Sequence, residues 1–205
     1  VTLVASSTPI FMLLMGTVFF GQRATARQWV GAALSILGVL LVLSRGDWNT
    51  LVQVRLVIGD IYVLCATTAW AWYSWLLSQP KDPPSIRANW AQYLLSQMAF
   101  GLVWSGGFAW VEWAVQPREM VWSAGLVAAL VFVAIGPSLL AYRSWGLGVQ
   151  RVGPSTAAFF ANLTPLFAAL LSSVMLGELP RIYHLLAFML IVGGIVVSSS
   201  RRPVN

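Results

Sequence analysis

Seven apolar segments dominate this chain, each roughly 17 to 25 residues long and so able to cross about 30 Å of hydrocarbon as a helix. They run about Thr2 to Phe20, Arg27 to Leu43, Val57 to Leu77, Asn89 to Val111, Trp122 to Leu147, Pro154 to Leu176 and Ile182 to Ser199. Short polar stretches divide them: Gly21 to Gln28, Arg45 to Leu56, Gln79 to Ala88 with Pro80, Pro83 and Pro84, and Gly177 to Arg181. The runs are far longer than the roughly ten-residue alternating strands of a membrane barrel. The expected fold class is therefore all-α, a polytopic membrane helix bundle of about seven transmembrane helices. Composition agrees: 59% of residues are hydrophobic and only 9% are charged, against about 25% charged in a soluble domain. Trp29, Trp48, Trp90, Trp110, Trp113 and Trp122 fall near segment ends, where an amphipathic indole favours the headgroup region.

The charges report topology. The 12 Lys and Arg against 6 Asp and Glu would suggest a nucleic-acid partner in a soluble protein, but here they lie between apolar blocks and no nucleic acid is expected. One side of the seven segments collects Arg23, Arg27, Lys81, Arg87, Arg151, Arg201 and Arg202, with Arg143 close by; the other has Arg45, Arg55, Arg118 and Arg181. The first side is expected to be cytoplasmic, and the C-terminus with it. The chain opens on Val1 inside an apolar run, with no basic leader or cleavage site, and reads as cut at its N-terminus.

Enzyme chemistry finds little support. Cys65 and His184 are the only residues of their kinds, so neither a disulfide framework nor a Cys/His metal site is expected. No carboxylate pair lies inside an apolar segment, and no Walker-type phosphate loop is present. The expectation is a protein that is not an enzyme and takes no cofactor or metal.

The chain also repeats itself. Sliding it by about 156 positions aligns Ala5 to Arg45 with Ala161 to Arg201 without a gap, with about ten of roughly forty positions identical. The matches include Thr8 with Thr164, Pro9 with Pro165, Phe11 with Phe167, Gly21 with Gly177 and Gly38 with Gly194. The first two segments thus correspond to the last two. An odd number of crossings separates the copies, so they traverse the membrane in opposite directions, as inverted repeats. Residues 57–200 read as a complete five-helix unit, and residues 1–46 as the last two helices of a first, incomplete unit. On this arithmetic three helices are expected upstream.

In this arrangement the chain resembles the drug/metabolite transporter superfamily, specifically its EamA-like ten-helix carriers. The residues are Asn162-Leu163-Thr164-Pro165-Leu166-Phe167, then Leu176-Gly177-Glu178, then Gly193-Gly194; earlier come Thr8-Pro9-Ile10-Phe11, Gly21-Gln22, Gly31 and Gly38. Gly59-Asp60 and Ala141-Tyr142 with Trp145 are also similar to the family, whereas Gln22 stands where an acidic residue is usual. The resemblance implies a secondary carrier of small metabolites or drugs, an exporter or importer with export favoured, working by alternating access in a bacterial inner membrane. The implied partners are a small-molecule substrate, membrane lipid, the upstream helices of the same protein and, as an oligomer, a second copy in a homodimer. An accessory or structural membrane protein without transport activity is the alternative.

Candidate solute-binding residues follow from the polar gaps. Pro165 cannot donate to the carbonyl of Ala161, nor Pro9 to that of Ala5, so each helix has an open carbonyl in the apolar layer. Ser6, Thr8, Asn162 and Thr164 lie beside these gaps, either to patch a kink or to meet a solute. Gly136-Pro137 repeats the device. Ser138, Tyr142 and Trp145 form a stripe at i, i+4, i+7, which suits an aromatic solute or an interface belt. Thr67, Trp70 and Ser74 form another, with Trp72 and Trp75 directed to lipid. Gln97 lies deep in its segment and needs a partner helix, water or solute. Arg143 is placed to snorkel, Asp60 and Glu178 to start helices, and His184 at the interface.

Overall fold

The computed structural model describes residues 6–47, 49, 57–79, 89–117, 121–176 and 181–199, and among them every regular element is helical. Seven apolar helical segments follow the seven expected, one of them broken in two. They are α1 (Thr8–Phe19), α2 (Ala26–Leu43), α3 (Ile58–Ser78), α4 (Trp90–Val115), α5 (Ala124–Val152), α6 (Pro154–Ala161), α7 (Thr164–Leu176) and α8 (Ile182–Ser199). Among the described residues, five stretches, α2, α4, α5, α6 with the start of α7, and α8, are long and apolar enough to cross a membrane. Glu178, Lys81, Arg87, Arg201, Arg202 and Trp48 lie outside the described residues.

Helix starts are set by local chemistry. Backbone N–H groups of a first turn have no partner within the helix, and a nearby side-chain acceptor satisfies them. Thr25 and Gln28 do so reciprocally: the Gln28 amide donates to Thr25 Oγ at 3.3 Å, and the Thr25 amide to Gln28 Oε1 at 2.8 Å. Asp60 acts as the expected first-turn acid, accepting the Val57 N–H at 2.9 Å. Asn89 and Ser123 cap α4 and α5. His184 Nδ1 accepts the Arg181 amide at 3.0 Å and so closes the first turn of α8.

Two compact units result, Val1–Gln79 with Gly148–Asn205, and Pro80–Leu147. The core of the first consists of Leu13, Ala32, Val39, Phe159, Leu166, Ala187, Ile191 and Ile195. Its largest interface is the crossing of α2 and α8, and glycine makes it close. A Cβ on Gly31 would stand 2.6 Å from the Gly194 carbonyl oxygen, and one on Gly194 would stand 2.6 Å from that of Gly31. A Cβ on Gly38 would meet the Ala187 oxygen at 2.9 Å and the Ile191 nitrogen at 3.2 Å; one on Gly194 would meet the Ser35 nitrogen at 3.0 Å. In hydrocarbon no hydrophobic force drives helices together, so such backbone approach supplies the van der Waals packing that does.

This crossing is its own image. The repeat register turns Gly31 into Ala187, Ser35 into Ile191 and Gly38 into Gly194, and the Gly31–Gly194 contact into Ala187–Gly38, which is also present. Self-complementary contacts of this kind mark a two-fold axis. Early residues of one helix meet late residues of the other, so the pair is antiparallel. The axis is therefore perpendicular to the helices and passes between Ser35 and Ile191.

The second unit holds α4 and most of α5. Its large side chains are turned outward: Phe100, Leu102, Val103, Trp104, Phe108 and Trp110 on α4, and Phe132 and Ile135 on α5, are exposed. Apolar surface on this scale is stable against lipid, not water. Pro137 is accommodated by a π-helical segment, Ala134–Leu140, in which the Ala141 amide reaches back to the Gly136 carbonyl. The wider turn compensates for the N–H that proline lacks. The Arg143 guanidinium lies over the Trp90 ring, 4.5 Å from its centroid, which holds the charge by a cation–π contact. Helix and composition together make this a multi-pass membrane protein.

Candidate functional site

Both Thr-Pro motifs open a helix directly after a turn, and the second of them interrupts a span. Ser6 and Ser7 form a turn, after which Thr8 opens α1 with Pro9 in its first turn. Asn162 and Leu163 form a turn between α6 and α7, and Thr164 opens α7 with Pro165 next. The two turns occupy the same repeat positions. A proline one residue into a helix is free of clash only if the preceding turn stops being helical, so the sequence breaks the span where it carries Pro.

The α6–α7 break is packed, not open. Asn162 is 2% exposed, and its Nδ2 donates to Ser35 Oγ, itself wholly buried, at 2.8 Å. Ser6, Thr8, Pro9 and Thr67 are also buried in this unit, Trp70 and Pro165 are half-buried, and Thr164 is exposed. Thr67 Oγ1 donates to the Val63 carbonyl, and Ser74 Oγ to that of Trp70, each at 2.8 Å, so both hydroxyls turn back onto α3.

One expectation is corrected here. Trp75 does not face lipid with Trp72; it is 5% exposed, and its indole N–H donates to the Met12 carbonyl at 2.9 Å. Gly16 permits this, because any Cβ there would collide with the indole. Phe20 stacks on Trp75 with ring centroids 5.2 Å apart, while Trp72 stays exposed against Phe19. The indole is a polar handle too costly to leave unpaired among apolar groups, and the α1 backbone offers the acceptor.

Trp75 also forms part of the wall of a cleft of about 250 Å³. Leu13 and Gly16 supply apolar surface, and Gln22, Arg23, Ser155 and Thr156 line its polar part. The cleft lies at the end of α1 and the start of α6, on the arginine-rich side. Neither Ser35, Trp75 nor this cleft was among the sequence candidates. Ser35 was foreshadowed only by lying between Gly31 and Gly38 at helical spacing, a polar residue on a small-residue face.

The remaining candidates belong to the second unit. Gln97, Ser138 and Trp145 are half-buried, and Tyr142 is 40% exposed. Ser138 lies within the π-helical segment, so the wider turn shifts it from the position that ordinary helical spacing gives it relative to Tyr142 and Trp145.

The model of the EamA-like transporter family matches residues 1–44 and 57–200. The uncharacterized transporter YyaM of Bacillus subtilis (strain 168) is 22% identical over 198 residues, covering 96% of this chain and 63% of its own length. An uncharacterized transporter of Archaeoglobus fulgidus is 23% identical over 203 residues, with 98% and 66% covered. A probable terminal-alkyne amino-acid exporter of Streptantibioticus cattleyicolor is 23% identical over 202 residues, with 98% and 63% covered. The chain thus spans less than two thirds of the length of these relatives. A solved crystal structure shares the fold with a TM-score of 0.71 at 21% identity, over 97% of this chain and 65% of that one. With the family model matched along nearly the whole sequence, this chain belongs to the EamA-like transporter family.

Proposed function

We propose that the protein is a secondary, non-ATP transporter that exports small metabolites or drugs across a bacterial inner membrane by alternating access, with its C-terminus cytoplasmic. The observation that carries this reading is the self-complementary, antiparallel α2–α8 crossing. Two oppositely oriented copies of one motif, related by an axis in the membrane plane, have two equivalent packings, and exchanging them opens a central site to either side. On this reading residues 1–46 are the last two helices of a first repeat and residues 57–200 a complete second repeat of five helices. The two Thr-Pro helix starts are the proposed solute contacts of the first unit, at Ser6, Thr8, Pro9, Asn162, Thr164 and Pro165 with Thr67 and Trp70 beside them, and solute reaches the buried ones only when the packing seen here opens. Gln97, Ser138, Tyr142 and Trp145 are the solute contacts proposed separately for the second unit. Similarity to an amino-acid exporter makes amino acids the first solutes to try.

The test is solute counterflow in proteoliposomes without ATP, over a panel of amino acids and related amphipathic metabolites. Accumulation of a labelled solute against its unlabelled counterpart is expected for at least one member. If nothing moves while a characterised carrier works in parallel, the accessory-protein reading replaces this one.

A further inference from the structure

The cleft beside Arg23 lies wholly within the first unit and shares no residue with the solute contacts proposed above. Backbone geometry holds its polar walls in place. Gly21, at φ 66°, turns the chain so that the Gln22 amide donates to the Gly16 carbonyl at 2.8 Å, and the Thr25–Gln28 cap fixes the far end of the loop that carries Arg23. Gly153, at φ 82°, turns α5 into α6 and brings Ser155 and Thr156 to the same cleft. Among the described residues no hydrogen bond or ion pair engages the side chains of Gln22, Arg23, Ser155 or Thr156, and no carboxylate lines the cleft. The repeat register sets Gln22 against Glu178 and Arg23 against Leu179. The first copy therefore has a cation and lacks the carboxylate that would pair with it.

We propose that this cleft is a binding site for a small amphipathic carboxylate, with Arg23 on the carboxylate, the Ser155 and Thr156 hydroxyls as further donors, and Leu13, Gly16 and Trp75 against the apolar part. A guanidinium presents a fork of donors that matches a carboxylate, and hydroxyls rotate to suit it. The walls offer no anion to an ammonium group, so the ligand is an acid rather than an amine. The volume of about 250 Å³ lies just under the roughly 300–1,000 Å³ of drug-sized pockets, which sets a compact ligand. A free acid fits better than a lipid headgroup because the apolar wall is interior: Leu13 and Trp75 are 2% and 5% exposed, whereas the exposed pair Phe19 and Trp72 is not part of it.

The experiment measures saturable binding of radiolabelled phenylacetate to the whole chain in phosphatidylcholine nanodiscs, with empty nanodiscs subtracted. Arg23→Ala should weaken binding about tenfold or more, the size of a charge-assisted hydrogen bond. Gln22→Glu sets a carboxylate beside Arg23 and should weaken it about threefold or more, by pairing with the guanidinium and repelling the ligand. Arg27→Ala removes a neighbouring charge outside the cleft and should leave the affinity unchanged. Unlabelled benzylamine should not compete. No saturable binding, unchanged affinity in either cleft variant, an equal loss in Arg27→Ala, or competition by benzylamine overturns the site. Replacing part of the phosphatidylcholine with phosphatidylglycerol should leave binding intact; if the anionic lipid displaces phenylacetate, the cleft is a headgroup site and the assignment falls. Binding is read without transport, so a failure of counterflow leaves this site standing, and a failure here leaves the transport reading standing.

Discussion

Trp75 shows how one side chain joins two helices in a medium that gives no hydrophobic reward for doing so. Its indole fills the space that Gly16 leaves bare and donates to the Met12 carbonyl, and Phe20 covers its face. Trp75→Phe removes the donor but keeps most of the ring, and should cost about 1 kcal/mol, the net value of a neutral hydrogen bond. Gly16→Leu drives a side chain into the ring and should cost about 1–3 kcal/mol by overpacking. Thermal unfolding of the detergent-solubilised protein measures both. The Gly16→Leu defect should shrink when Trp75→Ala is added, since the collision is with that ring; equal losses with and without the indole would show that the clash lies elsewhere.

Among elements, the α2–α8 pair makes the sharpest statement, because adjacent glycines on α8 have opposite surroundings. Gly194 lies against Gly31 and Ser35, whereas nothing stands within 4 Å of a Cβ on Gly193. Gly193→Ala should therefore be neutral or stabilising by up to about 1 kcal/mol, through helix propensity alone. Gly194→Ala should destabilise by about 1–3 kcal/mol despite the same gain in propensity, because backbone and not a flexible side chain must give way. Thermal shifts of the two variants in one detergent decide this, and similar shifts would mean that the helices are not in close contact. The α6–α7 break yields a second expectation. Pro165→Ala returns an N–H to the carbonyl of Ala161 and favours a continuous helix. Membrane abundance should hold while counterflow falls severalfold, and full activity would make the break a mere kink.

At the scale of the whole molecule, seven apolar segments and an uneven distribution of Arg and Lys carry an expectation of topology before any packing is considered. On the count of seven crossings, Arg23, Arg27 and Arg151 are expected on one side, Arg45 and Arg181 on the other. A C-terminal green fluorescent protein fusion should fluoresce in the cytoplasm and a C-terminal alkaline phosphatase fusion should be inactive, as positive-inside loops require. Active phosphatase would invert the orientation of every helix and place the cleft beside Arg23 on the outer face.

Much of this was written in the sequence because a bilayer removes choices. Hydrocarbon admits backbone only as helix or closed barrel, so segment length alone determined the type of element, and α8 spans Ile182 to Ser199 as read from the chain. Prolines cannot donate, so Pro165 foretold a discontinuity, and first-turn acceptors such as Asp60 foretold a helix start. Which face of each helix turns inward was less legible, because nearly every residue on a membrane helix is apolar and periodicity loses its contrast. Helical spacing alone therefore directs Trp75 to lipid, and only the tertiary structure shows Gly16 making room for it. The Asn162–Ser35 bond joins residues 127 positions apart and could be decided only by packing. The sequence by itself determined that there would be helices, repeats and breaks. Tertiary structure decided which polar groups satisfy one another across them, because in a medium without water every partner must come from another part of the chain.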